Sequence, residues 1–181
     1  MLPLLLDKEK RAKLPLPWLH LAEFWRNHWS FIKNETILRN ISYQIQYLEF
    51  LINLWNKYVI YGSIQTSLCK NIVINTTHII EAALSYSIEE VYKQKYTKEE
   101  RILPTRLFEM IGIAHKELHI ISEALWHELH ELRKESNKKH IQKENKWELE
   151  MYDIKNTNIA LELLEKVRKE LSDHWSQYDL N

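Results

Sequence analysis

The stretch from residue 37 to residue 55, ILRNISYQIQYLEFLINLW, decides the fold class of this chain. An α-helix has about 3.6 residues per turn, so residues three and four positions apart share one face. The large apolar side chains of the stretch follow these steps, and they are Ile37, Ile41, Ile45, Leu48, Ile52 and Trp55. The pattern predicts an amphipathic helix from about residue 35 to 59, with Asn34 and Glu35 available to cap its start.

Similar helical patterns fill most of the remaining sequence. Apolar residues at helical spacing predict helices at about residues 63 to 93, 104 to 118, 122 to 140 and 160 to 175, the third of them capped by Ser122. Strand-like alternation is hard to find, and only 2 glycines and 4 prolines are present to interrupt helices. The sequence therefore predicts an all-α fold.

The start of the chain differs in composition from the rest. Residues 1 to 17 contain three of the four prolines, and they are predicted to form an extended arm. Residues 18 to 181 are interpreted as one helical domain, which is long enough to bury a core without disulfides or metal. This domain is expected to begin with an extra aromatic helix that packs in the core or at a dimer surface, not against a cofactor. The stripe of that helix is Trp18, Leu21, Ala22, Trp25, Trp29 and Ile32.

Charge and cysteine content limit the partners and the compartment. The chain has 25 basic and 25 acidic side chains, so nucleic-acid binding would require a local basic patch. The single cysteine, Cys69, excludes an internal disulfide and is interpreted as a small core residue. No segment approaches the roughly 20 apolar residues of a membrane span. The apolar start lacks the leading charges of a signal peptide, so we expect a cytoplasmic protein without a membrane partner.

The predicted helix that follows Ser122 carries polar residues with chemical potential. Its apolar residues are Leu125, Trp126, Leu129 and Leu132, which have amphipathic spacing. Arg133, Asn137 and His140 are therefore expected to continue along one stripe of this helix. A guanidinium can bind phosphate and an imidazole can transfer a proton near neutral pH, and together they can cleave RNA without a metal.

A local basic patch surrounds this stripe. Between residues 133 and 146 there are six Lys or Arg and two acidic residues. Three of the lysines, Lys134, Lys138 and Lys139, lie between or beside the stripe residues and are predicted to bind the RNA backbone. A solvated helix end is the alternative interpretation of these lysines taken singly.

The separation of Arg133 and His140 predicts a shared site. Seven helical residues place the two Cα atoms roughly 10 Å apart along the axis, which is wide for one phosphate. Two such helices that meet around a two-fold axis would bring both pairs to one cleft. We therefore expect a composite site in a homodimer.

Three stretches resemble the HEPN domain (higher eukaryotes and prokaryotes nucleotide-binding), an all-α family. KNIVINTTHIIEA at residues 70–82 is similar to an early helix of the family, and LFEMIGIA at residues 107–114 is similar to the helix before its signature. LRKESNKKHI at residues 132–141 is similar to the signature itself, an arginine and a histidine separated by four to six residues that often include asparagine. The resemblance spans roughly residues 37 to 172.

The resemblance implies an up-and-down helical bundle and a metal-independent endoribonuclease that is active as a homodimer. Such proteins occur in toxin–antitoxin pairs, phage defence and RNA-guided CRISPR effectors. It assigns catalytic roles to Arg133, Asn137 and His140, and a supporting, substrate-binding position to Glu81. RNA is the implied substrate, no cofactor is implied, and an antitoxin or regulatory protein is an expected further partner.

Two residues depart from the family pattern, and the first of them keeps a second hypothesis open. Many relatives have another arginine directly before the asparagine, where this chain has Ser136. This favours the alternative of a catalytically degenerate HEPN module that dimerises and binds RNA, nucleotide or protein. Relatives that are silenced by adenylylation have a tyrosine two residues after the histidine, where this chain has Gln142. That form of regulation is not expected.

Histidine pairs raise the alternative of a metal site. His115 and His119 have the i, i+4 spacing of helical zinc ligands, and His127 and His130 precede His140. No further ligand completes either set in a known motif, so we predict no metal. The two glycines of the chain are too few for a phosphate-binding glycine loop, which excludes a P-loop nucleotide hydrolase.

Overall fold

The structure is a computed structural model that describes residues 19–95, 103–137 and 152–178, with the backbone alone for residues 135–137 and 178. All regular structure in these ranges is helical, so the predicted all-α fold is confirmed. The helices are α1 (Ala22–His28), α2 (Glu35–Lys57), α3 (Gly62–Lys95), α4 (Leu107–Gly112), α5 (Glu123–Asn137) and α6 (Ile154–Tyr178). A π-helical turn, Ile113–Glu117, continues α4. The predicted arm at residues 1–17 lies outside the described residues.

Helix α3 is the centre of the core. It contacts α2, α4, α5 and α6. A helix that is covered on several sides must be apolar around most of its circumference. Five apolar residues of α3 are accordingly 0% exposed: Ile80, Ala83, Leu84, Ile88 and Val91. Cys69, near the start of α3, is also buried, which confirms its predicted place in the core.

The helix predicted from the opening pattern is present as α2. Asn34 caps it, because its side-chain oxygen accepts hydrogen bonds from the backbone N–H groups of Thr36 and Ile37, both at 3.1 Å. Three of the six pattern residues are buried and the other three pack against the core. The helix ends at Lys57, two residues before the predicted end.

The predicted aromatic helix is shorter than its stripe indicates. The stripe predicts a helix through Ile32, but α1 ends at His28. Trp29, Phe31 and Ile32 are all buried, and one helix face cannot hold residues that point in directions up to about 160° apart. The chain therefore leaves the helix at Trp29, which confirms Trp29 as a core residue, while Trp18 lies outside the described residues.

The helix predicted at residues 104 to 118 also differs from the prediction in its start and in its geometry. It starts at Leu107 and widens into the π-helical turn, in which the Leu118 N–H donates to the Ile113 carbonyl at 3.0 Å. His119 then adopts a left-handed conformation with φ 56°. The Ile120 N–H donates to the Ala114 carbonyl at 2.8 Å and closes the helix end.

A carboxylate on α6 holds the start of α5. The Ser122 hydroxyl accepts from the Leu125 N–H at 3.2 Å, which confirms the predicted cap. Glu170 on α6 accepts two further hydrogen bonds from Ser122, one from its N–H and one from its hydroxyl, both at 2.7 Å. These contacts fix the position of α5 relative to α6.

Replacing Glu170 with alanine is expected to lower the free energy of unfolding by about 1–3 kcal/mol, because two charge-assisted hydrogen bonds at a helix start are lost. Urea-induced unfolding followed by circular dichroism measures the change. Glu162→Ala is the matched control, since Glu162 is an exposed glutamate on the same helix and its loss should change the value by less than about 0.5 kcal/mol. Equal unfolding midpoints for the two variants would contradict the role of Glu170.

In the described ranges, no helix is both long enough and apolar enough to cross a membrane.

Candidate functional site

Helix α5 has one face in the core and a neighbouring face that carries aromatic and basic side chains. Its buried leucines are Leu125, Leu129 and Leu132. The half-buried residues of the neighbouring face, about 100° around the helix, are Trp126, His130 and Arg133. The predicted amphipathic pattern of this helix is therefore confirmed for the described residues.

The guanidinium of Arg133 lies on an aromatic ring. Its Cζ is 4.9 Å from the ring centre of Phe108 on α4. Among the described residues, Arg133 has no ion pair, and its buried Nε has no hydrogen-bond partner. An arginine held by a ring but not neutralised by a carboxylate keeps its charge available for an anion.

His130 lies in a positively charged environment between two aromatic rings. Its ring centre is 5.4 Å from that of Phe108 and 4.7 Å from that of Trp126. Partial burial lowers the pKa of His130, and the positive charges of Arg133 and of Lys134, Lys116 and His127 lower this pKa further. The charged groups of the described residues that act on His130 are thus all basic, so burial and these charges both favour its uncharged imidazole.

Trp126 connects α5 to the π-helical turn. The Nζ of Lys116 lies 5.2 Å from the Trp126 ring centre, and the ring of His115 lies 5.6 Å from it. The ring centres of Trp126 and His127 are 4.4 Å apart. The π-helical turn therefore brings one cation and one imidazole against the aromatic face of α5.

The structure describes some of the predicted site residues and not others. Lys134 is exposed and pairs with Glu131 at 2.6 Å, one turn earlier. Asn137 ends α5, four residues after Arg133, so the helix places both positions on one face. Lys138, Lys139 and His140 lie outside the described residues.

Glu81 is separate from this group. It is half-buried on α3, and burial raises its pKa, although the nearby His78 opposes the shift. A raised pKa of this kind is common for a carboxyl that is shielded from water. Within the described residues, no hydrogen bond or ion pair joins Glu81 to Arg133, so its supporting role stays a prediction.

The histidine pairs that raised a metal alternative have other contacts. Within residues 19–95, 103–137 and 152–178, no three His, Cys, Asp or Glu side chains are grouped so that they could hold a metal ion. His115 Nδ1 lies 3.2 Å from the Ile121 carbonyl. His130 lies between Phe108 and Trp126 and makes ring contacts with both.

Sequence reasoning missed the aromatic part of the site. Trp126, His130 and Arg133 are spaced i, i+4 and i+7, a signal that could have shown their common face. Phe108 and Lys116 come from a different segment, and no local pattern links them to α5. No family model, curated protein or solved structure matches the chain, so we infer its function from these residues.

Proposed function

We propose that this protein is a metal-independent endoribonuclease of the HEPN type, in which Arg133 binds the scissile phosphate. The main support is the guanidinium of Arg133, which no described carboxylate neutralises and which lies beside the basic surroundings of His130. A planar guanidinium matches two phosphate oxygens and stabilises the extra negative charge of a phosphorane.

The proposed reaction is transfer of the phosphate to the neighbouring ribose hydroxyl. The 2′-oxygen forms a bond to phosphorus while a base accepts its proton, and the bond from phosphorus to the 5′-oxygen breaks as an acid protonates that oxygen. The products are a 2′,3′-cyclic phosphate and a 5′-hydroxyl. In the proposed homodimer the two copies of His140 act as base and acid, and Asn137 orients the phosphate.

The remaining predicted residues would hold the substrate. Lys134, Lys138 and Lys139 supply positive charge beside the phosphate, and Glu81 supports the site from α3. We further propose a toxin or phage-defence role in the cytoplasm, with an antitoxin or regulatory protein as a partner. No cofactor takes part in the proposed reaction.

A catalytically degenerate HEPN module is the second candidate. Ser136 favours it, because many relatives have an arginine at this position. Such a protein would dimerise and bind RNA, nucleotide or another protein through the same face of α5 without cleaving it.

Growth and cleavage assays separate the two candidates. Induced expression of the wild type should slow the growth of a bacterial host, and the purified protein should cleave labelled RNA in EDTA to fragments with 2′,3′-cyclic phosphate ends. A variant with both Arg133→Ala and His140→Ala controls for contaminating nucleases and should do neither. Intact RNA after incubation with the wild type, both in EDTA and with added Mg²⁺, would overturn the nuclease proposal and favour the degenerate module.

A further inference from the structure

Aromatic rings and cations alternate on the surface formed by α4, the π-helical turn and α5. We define the aromatic-basic cluster as Phe108, Lys116, Trp126, His130 and Arg133. Each cation of the cluster lies near a ring face or edge, with Arg133 4.9 Å from the Phe108 centre and Lys116 5.2 Å from the Trp126 centre. Rings and cations from two segments thus form one continuous surface.

Phe108 is the accessible ring of this cluster. Phe108 is 55% exposed although the guanidinium of Arg133 packs on its ring. Single exposed apolar residues are common on protein surfaces. Phe108 differs from these because it lies in contact with both an arginine and a histidine.

The surrounding charge identifies the kind of ligand. Among the described residues, the groups that act electrostatically on His130 are Arg133, Lys134, Lys116 and His127, all basic. Lys134 and His127 are paired with Glu131 and Glu123, at 2.6 and 4.0 Å, whereas Arg133 and Lys116 lie near aromatic rings. A ligand for this surface should therefore carry negative charge together with flat apolar faces. Single-stranded nucleic acid has both features, because its phosphates are anionic and its unpaired bases can stack on aromatic rings and arginine planes.

We propose that the aromatic-basic cluster is a subsite for single-stranded RNA, in which a nucleobase stacks on Phe108 beside the phosphate bound by Arg133. Lys116 would contact a neighbouring phosphate from the side of Trp126. The inference rests on the proposed function for the choice of RNA as ligand, and it adds that the substrate is unpaired at the cleavage position. A base in a duplex is stacked on its neighbours and cannot present a free face to Phe108.

Binding of a non-cleavable oligonucleotide tests the subsite apart from catalysis. The probe is a fluorescein-labelled single strand with 2′-O-methyl riboses, which lacks the attacking hydroxyl, and anisotropy with the full chain gives the Kd. Phe108→Ala should raise the Kd by about 5- to 150-fold, the usual effect of losing one stacked base. Phe108→Trp should keep the affinity, because a ring is retained.

Tyr43→Ala is the matched control for Phe108→Ala. Tyr43 is an aromatic residue on α2 that is also 55% exposed, so its removal should leave the Kd unchanged. Circular dichroism of each variant shows whether the fold is retained. Lys116→Ala should also weaken binding, and it should reduce the salt dependence of the Kd.

The titration of His130 gives a second readout. A bound phosphate adds negative charge beside the cations that lower the pKa of His130, so this pKa should rise when the probe binds. NMR of the His130 ring measures this shift as a titration midpoint at higher pH in the complex. A distant binding site would leave the midpoint unchanged.

Each outcome distinguishes the subsite from the nuclease. An unchanged Kd for Phe108→Ala, or equal affinity for a duplex of the same sequence, would overturn the subsite even if the wild type cleaves RNA. Phe108-dependent binding by a wild type that does not cleave unmodified RNA would support the subsite and reject the nuclease. No measurable affinity of the wild type for the probe would also overturn the subsite and would direct the search to a protein partner.

Discussion

Replacing Arg133 with alanine is expected to reduce the rate of RNA cleavage by about 10²- to 10³-fold, the usual effect of removing one group that stabilises transition-state charge. The guanidinium is positioned by the Phe108 ring and is not paired with a carboxylate in the described part of the chain. Its charge is therefore available to the phosphorane. Single-turnover cleavage of labelled RNA, with protein in excess, measures the rate of the chemical step directly.

Two variants control this prediction. Arg133→Lys retains the charge but lacks the planar fork, so we expect an intermediate rate. Arg39→Ala removes an exposed arginine on α2 and should leave the rate unchanged. Loss of the contact with Phe108 should cost about 0.5–1 kcal/mol of stability, which thermal unfolding can measure separately. Wild-type cleavage by a folded Arg133→Ala protein would remove Arg133 from the mechanism.

Replacing Leu84 with alanine is expected to lower the free energy of unfolding by roughly 2–5 kcal/mol, because a buried leucine leaves a cavity that its neighbours fill only in part. Leu84 is 0% exposed at the centre of α3, which contacts four other helices. A domain of this size is usually stable by only about 5–15 kcal/mol, so this one change removes a large share. Urea-induced unfolding, fitted with a common slope, gives the difference.

Ile64→Ala is the control for Leu84→Ala. Ile64 lies on the same helix but is 69% exposed, so its truncation should change the free energy of unfolding by less than about 0.5 kcal/mol. Similar losses at the two positions would contradict the placement of the core around the middle of α3.

The parts of the fold that depend on local chemistry are predictable from the sequence. Helix α2 is one of them, because its apolar spacing and its Asn34 cap are both contained in one segment. The Ser122 cap is predictable for the same reason. The additional contact of Glu170 with Ser122 is not, because it joins residues 48 positions apart in the sequence.

The parts that depend on packing are not predictable in this way. The end of α1 at His28 reflects the burial of Trp29, Phe31 and Ile32 together, which a helical pattern does not indicate. The π-helical turn cannot be predicted from the apolar pattern, because its apolar residues also fit an α-helix. Hydrogen bonding at the end of this turn, not the apolar pattern, distinguishes the two.

The candidate site likewise contains one residue that the sequence predicts and others that it does not predict. Arg133 is evident in the sequence because its helix is amphipathic and because it resembles the HEPN signature. Phe108 and Lys116 reach α5 only through the tertiary fold, so no spacing rule could link them to it. The resemblance to the family remains a prediction, and the assays of Arg133 and His140 are its most direct tests.

The π-helical turn also constrains how this chain can tolerate changes in length. A turn of this kind contains one residue more than the α-helical path between the same two points. Deleting one residue from Ile113–Glu117 would return this turn to a regular α-helix between the same two points, and the side chains inside the turn would take new directions in steps of about 100° per residue. Lys116 would lose its alignment with Trp126, so a shortened homologue should lack the pairing of ammonium and indole altogether.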